Sequence, residues 1–243
     1  MKHIEIIAEC GINHGGSLQT ALAMVHKAKS VGADTVKFQL VDPDFYKQGT
    51  ELYNIFKECW LPPSDHYKLK REAEKIGINY LCTPSDVNMA KALVEAVGVK
   101  RLKIASDSAK DLKLIQYVEQ NRLPYLISTG HIGSANDVIE WSKNLTPEYA
   151  TILHCVSKYP CPEKDAQLGT INDLVRNLYP EYNIGYSDHT STLIPAVVAV
   201  GAGANVIEKH FKLDTKCVDA SLSLFPDDFE RMVNLIRQTE KML

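Results

Sequence analysis

Eight times along this 243-residue chain, a short apolar, β-branched run gives way to a polar rim and then to an amphipathic helical stretch. The strand-like runs fall at 3–9, 35–39, 79–83, 102–105, 124–128, 150–156, 183–186 and 206–210. The helical stretches fall at 18–31, 64–76, 87–97, 112–121, 135–143, 168–178, 192–201 and 227–241. Ser17 before Leu18 and Pro226-Asp227-Asp228 before the last stretch are helix-start signals. Gly32, Gly77, Gly98 and Gly201 stand where left-handed caps close helices. Strict strand–helix alternation calls for parallel strands with helices packed outside them. Eight such units in one chain of this length predict an α/β fold, a (β/α)₈ TIM barrel. A doubly wound sheet would use fewer strands. No Gly-x-Gly-x-x-Gly follows a strand and no Walker A is present, so nucleotide binding lacks a motif.

With 45% hydrophobic and 23% charged residues the chain holds enough apolar material for a full core. Its net charge of −3, with basic residues scattered, argues against nucleic acid or a membrane surface as partner. No apolar run approaches a membrane span, and the chain opens directly on a strand without a signal peptide. The expectation is a cytoplasmic protein with one domain, 1–243. The six cysteines form no CxxC pair and read as reduced, mostly buried residues.

In a barrel of this kind chemistry gathers at the C-terminal strand ends. Those ends carry Glu9 with Asn13-His14, Lys37 and Gln39, Thr83, Lys103 and Ser106, and Ser128-Thr129. They continue with His154, Ser157 and Tyr159, then Ser187-Asp188-His189, then Glu208 and His210. Alternation puts Lys37 and Gln39 on one face of strand two, and Lys103 has the same pattern on strand four. Buried lysines are costly unless paired. They point either to an anionic ligand, most simply phosphate plus carboxylate, or to interior partners such as Glu9 and Glu208.

His189 and His210 end the last two strands and reach one rim if those strands are parallel neighbours. They read either as hydrogen-bonded rim histidines or as two neutral imidazole ligands for Mn²⁺, Fe²⁺, Co²⁺ or Zn²⁺. Two protein ligands leave positions for water and substrate, which suits a Lewis acid. His154 reads equally as a core or a functional histidine. Asp219 and Ser223 lie in an irregular stretch, and Tyr159-Pro160-Cys161-Pro162 reads as a rigid loop.

At these residues the chain resembles the sialic acid (N-acetylneuraminate) synthase family. The matching segments are Ala8 to Ser17, Gly32 to Gln39, Lys103 to Ser106, Ile127 to Gly130, Leu153 to Pro160, Gly185 to Thr190 and Ile207 to Phe211. They occur in family order over nearly the whole chain. The resemblance implies condensation of phosphoenolpyruvate with an N-acylated amino aldose, such as N-acetylmannosamine, to give a 3-deoxy-ulosonic acid. It implies a divalent metal held by His189 and His210, usually Mn²⁺, with Mg²⁺ or Co²⁺ as alternatives. It further implies phosphoenolpyruvate contacts at Lys37, Thr83, Lys103, Ser106, Ser157 and Ser187. The amino sugar would meet Gln39, Tyr159 and Asp219, and Glu9 would handle protons or orient water. Typical members continue into an antifreeze-protein-like domain that lids the partner's barrel. This chain ends at Leu243, so a homo-oligomer and a separate lid subunit both stay open. Ser108 stands where the family is often acidic, and Ser157 where it often has asparagine. These departures fall on the sugar end, which keeps a synthase for another aldehyde, or for a phosphorylated aldose, open as an alternative. A catalytically silent barrel subunit is the reading from another class.

Overall fold

In the first strand, β1 (Glu5–Gly11), alternate side chains divide two environments. Ile6, Ala8 and Cys10 join the large core, while Ile7 belongs to a separate small cluster and Glu9 lines a cavity. The period of two that sorts them recurs in every strand, and it builds a barrel with two distinct apolar layers. The computed structural model describes residues 3–243.

The remaining strands are β2 (Thr35–Leu40), β3 (Asn79–Pro84), β4 (Leu102–Ile104), β5 (Tyr125–Ser128), β6 (Ala150–Cys155), β7 (Asn183–Asp188) and β8 (Val206–His210). They form one sheet in the order β3-β2-β1-β8-β7-β6-β5-β4, with every paired ladder parallel. This is the expected (β/α)₈ barrel, with β3 beside β4 where the hydrogen-bonded ladder is interrupted. Outside lie α1 (Leu18–Ser30), α2 (Glu51–Glu58), α3 (Pro63–Ile76), α4 (Val87–Ala92), α5 (Leu112–Gln120), α6 (Ala135–Ser142), α7 (Gly169–Leu178), α8 (Ile194–Gly201) and α9 (Pro226–Glu240).

Inside the barrel the lowest rung is ionic, with Arg101 bonded to both oxygens of Glu5 at 2.8 and 2.9 Å. Above it Ile7, Leu81, Leu126, Leu153 and Val206 form an apolar plug. Directly above that plug the inward-facing side chains include Glu9, Lys37, Lys103, Ser187 and Glu208. A register shift between Glu9 and Gly11 interrupts the β1–β2 ladder, and Gly11 has φ +51°. A Cβ there would come within 3.3 to 3.5 Å of Glu9 Oε1, Asp219 Oδ2 and Gln39 Nε2, so the glycine leaves room for three functional groups to meet.

Several expectations need correction. β1 begins at Glu5 rather than residue 3, and β7 runs on to Asp188 because Lys209 of β8 pairs with that carboxylate at 3.1 Å. The 87–97 stretch divides into α4 and a π-helical turn, Leu93–Val97, closed by Gly98 at φ +77°. Gly201 does not take the left-handed conformation; Gly203 does, at φ +102°. The connection from β2 to α3, where the sequence reading placed no element, contains a 3₁₀ turn, Pro43–Phe45, and α2, capped by Thr50. Five of the six cysteines are buried and all are free. Among the described residues no helix is long and apolar enough to cross a membrane.

Candidate active site

The inward face above the plug opens into a cavity of about 320 Å³ at the C-terminal strand ends. That volume falls at the small end of small-molecule sites. Eleven of the twelve residues singled out from the sequence line it: Glu9, Lys37, Gln39, Thr83, Lys103, Ser106, Tyr159, Ser187, His189, His210 and Asp219.

Ser157 is the exception. It packs behind Gly130, where a Cβ would meet its Oγ at 2.2 Å, because the chain turns outward after β6. Asp188 and His154 face outward. Asp188 is buried against Lys209, and His154 Nε2 meets Ala166 O at 2.9 Å with its ring stacked on Tyr186. Asn13 works at one remove from the cavity. Its Oδ1 accepts from the Asp219 backbone N–H at 2.9 Å, while its Nδ2 donates to Phe211 O and Ser223 Oγ. It therefore ties the loop after β8 to the end of β1.

At the bottom of the cavity two lysines and two glutamates interlock. Lys37 Nζ lies 2.8 Å from Glu9 Oε2 and 3.6 Å from Glu208 Oε2, and donates to Thr83 Oγ1 at 3.0 Å. Lys103 Nζ reaches Glu208 Oε1 at 3.3 Å, and Ser187 Oγ donates to the same oxygen at 2.9 Å. The interior-partner alternative for the lysines is thus present in the structure. Burial disfavours charge on all three best-connected members, but the balance differs. For Lys37, Glu208 and Glu9 outweigh burial and raise its pKa. For Lys103 burial wins and lowers it, with Glu208 only partly offsetting. For Glu208, Lys103 and Lys37 outweigh burial and hold the carboxyl below its usual range. Lys103 is the looser cation, and Glu208 is the residue whose centrality the sequence reading understated.

The upper rung holds the imidazoles. His189 and His210 have ring centroids 5.5 Å apart, and the Tyr159 ring lies 4.2 Å from His189. His189 Nδ1 is 2.9 Å from Val156 O, which makes it the protonated nitrogen and leaves the lone pair on Nε2, whose one recorded contact is Cys155 Sγ at 4.0 Å. Burial lowers the pKa of His189, so the ring is neutral. His210 Nδ1 is buried without a hydrogen bond, 3.3 Å from Asp219 Oδ2. Among the described residues no group of three or more His, Cys, Asp or Glu side chains is arranged to hold a metal ion. The donor chemistry nevertheless fits a two-imidazole site with open positions. The His189 Nε2 lone pair and the His210 ring border a cavity whose lining carries Glu9, Asp107, Glu208 and Asp219 against only Lys37 and Lys103.

Ser128 Oγ and Glu208 Oε2, both in residues that line the cavity, are also buried without hydrogen bonds, and the Gly130 N–H donates to Ser106 Oγ at 3.1 Å. Buried polar atoms are seldom left unpaired. Their concentration around one cavity marks a binding site for a polar molecule.

Fold and site together define a TIM-barrel protein with a polar, ionisable cavity at the catalytic end of its strands. The chain belongs to the NeuB family, whose model matches residues 24–243. It is 39% identical to an uncharacterized protein of Methanocaldococcus jannaschii, MJ1065, over 98% of this chain and 71% of that one. It is 34% identical to the N,N'-diacetyllegionaminic acid synthase of Legionella pneumophila, over 98% of this chain and 72% of the relative. The crystal structure of an N-acetylneuraminic acid (sialic acid) synthetase from Leptospira borgpetersenii serovar Hardjo-bovis, in complex with citrate, superposes with a TM-score of 0.92. That match has 31% identity and covers 99% of this chain and 85% of the other.

Proposed function

We propose that this protein is a phosphoenolpyruvate-condensing synthase that joins the donor to an N-acylated amino aldose, giving a sialic-acid-like 3-deoxy-ulosonic acid and phosphate. The observation that carries the reading is the convergence of Lys37, Lys103, His189 and His210 on one cavity that is otherwise closed below by an apolar plug. Family membership supports the reaction class.

In this reading C3 of the enol attacks the aldehyde carbon, water adds at C2, and the tetrahedral product loses phosphate. Lys103, held by one long contact, is free to turn toward the donor, while Ser106 and Ser128 of the same lining supply hydroxyl donors. Lys37 stays with Glu9 and fixes that carboxylate. Gln39 Nε2 donates to the other oxygen of Glu9 at 3.0 Å, which orients the group to accept a proton from water. His189 and His210 would hold a divalent ion, Mn²⁺ by family resemblance, which when bound supplies Lewis-acid polarisation of the aldehyde. Tyr159, over the histidines, screens that end from solvent.

The test is phosphate release from phosphoenolpyruvate with Mn²⁺ across a panel of aldoses, with mass spectrometry of the products. Aldose-dependent release with a condensed product is expected. His189→Ala and His210→Ala should each abolish turnover and leave phosphoenolpyruvate binding measurable. Full turnover in either variant after chelation would remove the two-histidine site from the mechanism.

A further inference from the structure

The wall of the cavity changes character with height. Along β2 and its continuation the inward positions run Lys37, Gln39, Val41, that is charged, polar, apolar. From Val41 outward the β2–α3 connection contributes Phe45, Tyr46, Leu52, Ile55 and Phe56. The Tyr46 and Phe56 rings stack at 5.0 Å and 14°, and Phe45 meets Tyr46 edge-on at 5.3 Å. Val218 extends the lining on the β8 side.

Charge is distributed the opposite way. Both lysines of the lining sit on the inner rung within ion pairs. The charged groups higher up are the acidic Asp107 and Asp219, of which Asp107 meets His131 at 2.8 Å. Lys158 and Lys110 are outside the lining, and Lys158 is bonded to Asp165 at 2.8 Å. Among the described residues no arginine or further lysine lines the cavity.

Resting on the synthase reading, we infer that the outer half of this cavity selects an acceptor whose far end is uncharged and apolar. The fitting class is an N-acylated deoxy-aldose carrying a terminal methyl or second acyl group, in preference to a sugar phosphate. A methyl or acetyl group entering the Val41–Phe56 wall is removed from water against aromatic and aliphatic carbon. A phosphate dianion there would lose hydration, gain no cation and face Asp107 and Asp219.

The test measures binding separately from turnover. Three aldoses are titrated against the Mn²⁺-loaded, phosphoenolpyruvate-saturated protein by saturation-transfer NMR: N-acetylmannosamine, its 6-phosphate and a 2,4-diacetamido-2,4,6-trideoxyhexose. The trideoxy sugar should bind most tightly, and the phosphate ~10-fold or more weaker than its parent. Val41→Lys, which places a cation on the wall, should reduce or reverse the phosphate penalty. Phe56→Ala should weaken the trideoxy sugar selectively. Equal or tighter binding of the phosphate by the unaltered protein overturns the inference, as does no binding by any of the three. Preferential binding of the trideoxy sugar without condensation would instead overturn the synthase reading and leave the wall's selectivity standing.

Discussion

Lys37 touches three partners on three strands: Glu9 of β1, Thr83 of β3 and Glu208 of β8. Its ammonium is 3% exposed, so its charge exists there only because two carboxylates face it. Removing it leaves those carboxylates buried with Lys103 as the single remaining cation. Lys37→Met should therefore cost about 3–5 kcal/mol, read from urea unfolding. Lys37→Met with Glu9→Gln should lose less than Lys37→Met alone, because one orphaned charge goes with it. Equal or greater loss in the double variant would mean that the Glu9 pairing is not what matters. At this scale the sequence was informative about position and weak about partners. Alternation alone put Lys37, Gln39 and Lys103 on the inner face, since a strand leaves only two choices. Whether a lysine meets a glutamate or a ligand depends on distances across the barrel, which no local pattern encodes. Ser157 shows the same limit, because its neighbour Gly130 lies on a different strand end.

Among the elements, the eight strands and their partner helices were legible because each obeys one period. α2 was not, for a physical reason. It is two turns long, none of its residues is fully buried, and its apolar residues face the cavity mouth instead of the main core. Its cap at Thr50 was the available signal, with Leu52, Ile55 and Phe56 at helical spacing. Its C-terminal end lies directly against Gly16, where a Cβ would approach Glu58 O to 2.3 Å at φ +76°. Gly16→Ala should push the end of α2 away from the β1–α1 turn and cost about 1–3 kcal/mol. Because α2 forms the outer wall, the acceptor KM should rise while that for phosphoenolpyruvate changes little. Steady-state kinetics with each substrate varied in turn separates the two. An equal rise in both would place the damage in the barrel itself.

For the molecule as a whole, the polar cavity and the helix layer respond to acid through different groups. His14 and His66 are buried, with Nε2 of each lacking a hydrogen-bond partner. His14 Nδ1 accepts from the Gly16 N–H, and His66 Nδ1 meets the Tyr80 hydroxyl at 2.6 Å. Burial brings the pKa of His14 down to about 4 and that of His66 to about 3, with His14 adding to the effect on His66. Burial also lowers His154 and His189. A histidine whose pKa falls on folding leaves stability complete above its unfolded value near 6.5. As pH drops below that value the unfolded chain takes up protons that the folded protein refuses, so stability is lost down to the folded pKa. His14 and His66 each contribute a slope of about 1.4 kcal/mol per pH unit where the unfolded state is protonated and the folded ring is not. Glu208, held low by Lys103 and Lys37, and Asp219, held low by its contact with His210, add losses of the same sign, but only below the ordinary carboxylate range. The window from pH 6.5 to about 5 therefore belongs to the histidines. Urea unfolding across it should show stability falling steadily, and His66→Gln should lose less over that window than the unaltered protein, whatever its own starting stability. A midpoint that stays flat from pH 7 to 5 would show that the buried rings accept protons without penalty, through water reaching the unpaired Nε2 atoms between barrel and helices.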